Sequence, residues 1–170
     1  MKETLKKLRD KKGFTLVELI VVLVILAILA ALLIPTLTGY INKANKEKLI
    51  ANTRMVTMAV QSSTSSLYGT KGEGGKIGGA TTAASDKAAI EAEVTTLSEI
   101  DLAKAGATAS VNADAKITCV AYTESKSICI YDGVNKTYTV YDTEALAAAA
   151  GVAGYAKPAV GAITVTVPTT

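Results

Sequence analysis

The chain has 170 residues, 49% of them hydrophobic, with no His, no Trp and a single Phe. Lacking histidine, it lacks the commonest general base and transition-metal ligand, and two cysteines are too few for a zinc cage. The net charge is +3. Six basic residues (Lys2, Lys6, Lys7, Arg9, Lys11, Lys12) against two acids (Glu3, Asp10) give a surplus of four before Gly13, so the chain from Phe14 onward carries −1. Basicity confined to one end makes no case for a nucleic-acid partner.

Residues 1–13 read as a polar, basic leader that should stay on the cytoplasmic side of a membrane. The segment FTLVELIVVLVILAILAALLIP follows, and Leu19 to Ile34 within it has no polar side chain. About 20 helical residues span about 30 Å, the thickness of a bilayer's hydrocarbon core. A chain this small could not surround such a helix with protein, so residues 14–38 are expected to be transmembrane, with the remainder outside the cytoplasm. After Pro35 the pattern becomes amphipathic. Tyr40, Ile41, Ala44, Leu49, Ala51, Val56, Ala59 and Val60 are spaced for a partly buried helix, with Lys43, Lys46, Glu47, Lys48, Asn52 and Arg54 facing elsewhere. Residues 39–67 are therefore the amphipathic half of one long helix. Pro35 predicts a kink, because it removes a backbone hydrogen bond and crowds the preceding turn.

Residues 68–170 are expected to form a head. The run Gly69 to Gly79 does not match a phosphate-binding loop and reads as the stop of the long helix. Ser85 and Ser98 are candidate N-caps for one or two short helices between Ser85 and Lys104, with Gly106 as a stop. KITCVAY, SICIYD and KTYTVYD alternate as strands. With a three-residue first loop at Thr123, Glu124 and Ser125, Cys119 falls opposite Cys129, at a spacing suited to a disulfide. Two unpaired buried thiols are the alternative. The same register gathers Val120, Tyr122, Ile128 and Ile130, continued by Tyr138 and Val140, on the face turned to the helix. The second turn is Asp132-Gly133-Val134-Asn135. TEALAAAAG reads as a short helix capped by Thr143 and stopped by Gly151, and ITVTV as a fourth strand. The fold class is α+β: a long N-terminal helix packed on a small antiparallel sheet. Asp132, Asp142 and Glu144 are loosely clustered acids without metal-ligand spacing.

The junction KKGFTLVELIVV carries the functional reading. A secretory signal places its small-residue cleavage site after the apolar stretch; here Gly13 precedes it. This arrangement resembles the class III signal of type IV prepilins and pseudopilins. The resemblance implies that Gly13 is the last leader residue, recognised by a membrane prepilin peptidase. It makes Phe14 the mature N-terminus, N-methylated by the same enzyme, Glu18 the characteristic fifth-position acid, and Pro35 the helix break of many pilins. It covers residues 1 to about 40 in detail and the rest in architecture. The cysteine pair, set within one hairpin, departs from the many relatives whose pair encloses a C-terminal loop.

What the resemblance implies is a structural subunit of a type IV pilus, polymerised into a helical filament of identical copies. Its partners would be the cytoplasmic membrane, the prepilin peptidase and the pilus assembly machinery. A pseudopilin of a type II secretion or competence DNA-uptake system shares the motif. No cofactor is called for. A membrane-anchored enzyme is the reading from another class, but no nucleophile elbow or nucleotide motif supports it; a tethered binding module is a third. A carboxylate in a membrane helix costs about 2.5–3.5 kcal/mol and usually persists with a partner and a role. Glu18 is therefore expected to meet the Phe14 ammonium of a neighbouring subunit. The plainer alternative is an acid favoured by the helix macrodipole.

Overall fold

A computed structural model describes residues 14–71, 76–78 and 83–167; residues 1–13, expected to be a leader, and part of the run Gly69 to Gly79 lie outside them. The chain divides into two compact units, Met1–Ala44 and Asn45–Thr170. One helix, α1 (Leu16–Thr70), supplies residues to both.

In the first unit every described side chain is exposed, including the apolar run from Leu19 to Ile34. With a mean hydropathy of 3.3 over its most apolar stretch, α1 is long and apolar enough to cross a membrane. The helix continues through Pro35. That residue has no N–H for the Ala31 carbonyl. Just beyond it, the hydroxyls of Thr36 and Thr38 donate to Leu33 O and Ile34 O at 2.8 and 2.9 Å.

In the second unit α1 turns from exposed to packed. Leu49, Thr53, Val56, Thr57, Val60, Ser63 and Thr64 are buried at helical spacing. Small polar residues can occupy this face because each hydroxyl donates four residues back along its own helix. Thr53, Thr57, Ser63 and Thr64 reach Leu49 O, Thr53 O, Ala59 O and Val60 O at 2.7–2.9 Å.

This face packs on a five-stranded sheet: β1 (Ala105–Val111), β2 (Ile117–Glu124), β3 (Ser127–Asp132), β4 (Thr137–Tyr141) and β5 (Ile163–Thr166), in the order β4-β3-β2-β1-β5. The pairs are antiparallel except β1 with β5, which is parallel. The sheet is therefore mixed, where the strand runs had suggested an all-antiparallel one. ITVTV supplies β5, and the extra strand is β1, from a stretch read as loop and helix stop.

β1 has the sequence AGATASV and is buried along its whole length. Its small residues are explained by what crosses it. Thr108 Oγ1 donates to Ala156 O at 2.7 Å and Ser110 Oγ to Gly154 O at 2.6 Å. A Cβ on Gly106 would lie 1.8 Å from Ala159 O. Gly106 is thus a site of close backbone approach rather than a helix stop.

Only one helix, α2 (Ala83–Leu97), precedes β1 among the described residues after α1, with Ser85 inside it. After it, Asp101 holds a turn by accepting from Ala103 N at 3.1 Å, and no second helix starts at Ser98. Asp86, buried in the first turn of α2, accepts from Lys71 Nζ at 2.8 Å and Gly78 N at 2.7 Å. The end of α1 and the start of α2 are thereby tied together.

The β2–β3 hairpin corrects the expected register. Its turn is two residues, Ser125 and Lys126, with Glu124 opposite Ser127 and Ser125 at φ 63. Cys129 then lies opposite Tyr122, and Cys119 opposite Asp132. Losing one loop residue moves the β3 side chains to the other face. Ile128 and Ile130 pack with Cys119, Ala121 and Ala147, away from α1, while Cys129 joins Val120 and Tyr122 in the main core. Tyr138 and Val140 pack against that core as expected. The disulfide reading is overturned: both cysteines are free and buried, on opposite faces of the sheet. Burial, with a smaller contribution from Asp132, pushes the Cys119 thiol up to about 12, and burial raises Cys129 also. The short helix α3 (Glu144–Ala149) is capped by Thr143, and Gly151 follows at φ 65.

Candidate functional site

The start of α1 is built by two side chains. Thr15 precedes the first helical residue, and its hydroxyl accepts from Glu18 N at 3.2 Å. Glu18 reaches back in turn: its Oε2 accepts from Thr15 N at 2.9 Å and from Thr15 Oγ1 at 2.8 Å. Thr15-x-x-Glu18 is thus a capping box, satisfying backbone donors that a helix start leaves without partners. The sequence carried this signal, since Ser/Thr followed three residues later by Glu is its signature. The reading of Glu18 as an isolated acid passed over Thr15.

The box fixes the carboxylate beside the peptide that follows Phe14, whose side chain is 86% exposed. Phe14 and Glu18 therefore lie together at one end of α1, with Thr15 between them. Gly13 lies outside the described residues. Pro35 sits further along the same exposed half of α1, and Cys119 and Cys129 belong to the second unit.

The other acids considered are engaged singly. Asp132 Oδ1 accepts from Val134 N and Asn135 N in the β3–β4 turn. Asp142 lies 3.2 Å from Lys46 Nζ and Glu144 2.7 Å from Lys157 Nζ. These are exposed surface pairs, which stabilise little.

A family model described as the prokaryotic N-terminal methylation motif matches residues 8–34. No curated protein and no solved structure matches the chain. The matched span covers Gly13 and Phe14, the capping box and the apolar half of α1. The chain carries the class III signal of type IV pilin-like proteins. Proteins with this motif are structural rather than enzymatic, and the motif supports the type IV pilin-like or pseudopilin family in general. It implies processing by prepilin peptidase and assembly by the general machinery. Together with the apolar helix it fits a membrane-anchored precursor.

Proposed function

We propose that the chain is a structural subunit of a type IV pilus. After leader removal it is held in the cytoplasmic membrane by residues 14–38, and it polymerises through α1 into a surface filament serving adhesion, motility or a related role. The observation that carries this reading is the coincidence of the methylation motif with an apolar helix that nothing in its own chain covers among the described residues. In the bilayer those Val, Ile and Leu side chains are satisfied by lipid. On leaving it they must be satisfied by other copies of the same helix. Burying ~500 Å² per subunit at about 25 cal/mol/Å² contributes on the order of 12 kcal/mol before ordering costs. A head-to-tail relation that does not close produces an open helical filament.

In this reading the peptidase cuts between Gly13 and Phe14 and methylates Phe14. The head has no catalytic task, and Pro35 sets a bend for packing. Glu18 registers each incoming subunit on the Phe14 ammonium of its neighbour. Support comes from the division of labour on its carboxylate: the cap uses Oε2, and among the described residues Oε1 makes no hydrogen bond.

Mass spectrometry of the mature N-terminus, with electron microscopy of sheared surface material, tests the proposal. N-methylated Phe14 in long filaments, lost on gene deletion, is the expected result. A chain still beginning at Met1, or never found in polymer, overturns it. Short assemblies alone would transfer the chain to the pseudopilins.

A further inference from the structure

The two margins of the sheet differ. At one, α2 packs on β5, and Glu91 Oε1 accepts from Val165 N at 2.7 Å. At the other, β3 is the only hydrogen-bonded neighbour of β4 among the described residues. An edge strand offers its outward N–H and C=O groups to any chain that can pair, and proteins usually guard it with charge, Pro or a bulge. β4 reads Thr137-Tyr138-Thr139-Val140-Tyr141, with none of these.

The ladder shows which groups face out. Gly133 N donates to Thr118 O at 2.9 Å, so 118/133 is a hydrogen-bonded pair. In antiparallel strands such pairs alternate with non-bonded ones. Positions 120/131 and 122/129 therefore bond between β2 and β3, and Ile128, Ile130 and Asp132 turn their backbone toward β4. Their partners there are Tyr141, Thr139 and Thr137. Tyr138 and Val140 are left with backbone groups directed outward.

An antiparallel second β4 centred on Thr139 sets Tyr138 opposite Val140, the two residues that can continue the ladder. The same register puts Thr139 opposite Thr139 and Thr137 opposite Tyr141, pairs that suit a sheet. It also sets the residues that flank β4, Lys136 in the preceding turn at φ 55 and Asp142 just past the strand, opposite each other at both ends. Sliding by two residues keeps the ladder, but one slide sets Lys136 against Val140 and the other sets Asp142 against Tyr138 and carries Lys136 past the strand to Glu144, which begins α3 and already lies 2.7 Å from Lys157 Nζ. Asp142 already has Lys46 nearby, but both side chains are largely exposed and the pair is easily exchanged. We infer that β4 is a homotypic docking edge, and that its occupant is β4 of a second copy of this chain, antiparallel about Thr139. The contact is two-fold and closes at two strands, unlike head-to-tail stacking; its axis stands perpendicular to the sheet and reverses α1 between the copies, so it joins copies other than neighbours in one membrane or one filament.

Cysteine scanning of the full chain in detergent, with empty micelles in excess, tests the register. Opposed residues of a non-hydrogen-bonded pair have Cα atoms about 4.5 Å apart, within disulfide range. Thr139→Cys should form a covalent dimer under copper–phenanthroline oxidation. Thr137→Cys, facing Tyr141, should form several-fold less. In the Thr139→Cys background, Lys136→Asp sets two carboxylates face to face and should lower the dimer yield about tenfold. Adding Asp142→Lys reverses both charges and should restore it. Four results would each overturn the inference: no covalent dimer from Thr139→Cys, equal yields from the two cysteine variants, indifference to Lys136→Asp, or capture of the Thr139→Cys thiol on a different polypeptide.

Discussion

Glu18→Gln separates two roles that fall on one carboxylate. A Gln carboxamide oxygen can take the place of Oε2, because Glu and Gln both close a capping box. Losing a cap costs about 1 kcal/mol; Glu18→Gln should keep most of that, while Thr15→Ala loses it and keeps the charge. The charge is the larger quantity. A carboxylate and an ammonium about 4 Å apart interact by about 4 kcal/mol at an effective dielectric of about 20. With about 1.4 kcal/mol per tenfold, removing it should weaken subunit addition by roughly two to three powers of ten. The assay is the amount of sheared, sedimentable polymer relative to cell-associated subunit, with leader removal read from the mature mass. Thr15→Ala should lower polymer by about fivefold at most, from the cap alone. Glu18→Gln should insert normally and yield almost none. Wild-type polymer from Glu18→Gln beside a loss in Thr15→Ala would refute the reasoning, leaving Glu18 as a cap and nothing more.

Gly106→Ala places a Cβ 1.8 Å from Ala159 O and should destabilise the head by about 3 kcal/mol in denaturant unfolding of the detergent-solubilised chain. Gly39→Ala, with nothing within 4 Å of its added Cβ, should be neutral or stabilise α1 by up to about 1 kcal/mol. Free thiols should be countable without reductant: both cysteines react with Ellman's reagent in denaturant and resist it in the native chain, whereas none in denaturant would restore the disulfide. The Asn135 side chain, then the backbone N–H groups of Asn135 and Val134, hold Asp132 below the usual carboxylate range. Since its folded value lies below the unfolded one, its contribution is full above about pH 4 and lost as pH falls through the depressed value. The protection of the Val134 and Asn135 amides relative to their intrinsic exchange rates should fall over that window, and Asp132→Asn should abolish that fall.

The long helix was legible because nothing in residues 14–34 competes with it, and because the bilayer reading needs only length and apolarity. Strands β2, β3 and β4 were legible because β-branched and aromatic residues alternate in them. The Thr143 cap was readable for the same local reason. β1 was not, since Ala and Gly, which make up most of it, are depleted in strands and one Thr and one Val do not outweigh them; only the segment crossing above it explains why nothing larger fits. The cysteine register failed on one residue. Ser125 takes a positive φ where Gly or Asn would have announced a two-residue turn, and that parity decides the face of every β3 side chain. At the candidate site, Phe14, Glu18 and Pro35 stood out by type, while Thr15 did not because its part lies in a reciprocal bond rather than in its chemistry.

Asp86 has a consequence for how this surface can diverge. By gripping the ammonium of Lys71 and the amide of Gly78, it pins the end of α1 to the start of α2, and the neighbouring Ile77 is buried in the core with its N–H on Ala113 O. Substitutions among residues 72–76 should therefore leave the helix and the strands as they are, provided Lys71, Ile77 and Asp86 are kept. A subunit anchored at these points can change part of its outward display while the parts that hold it together stay as they are.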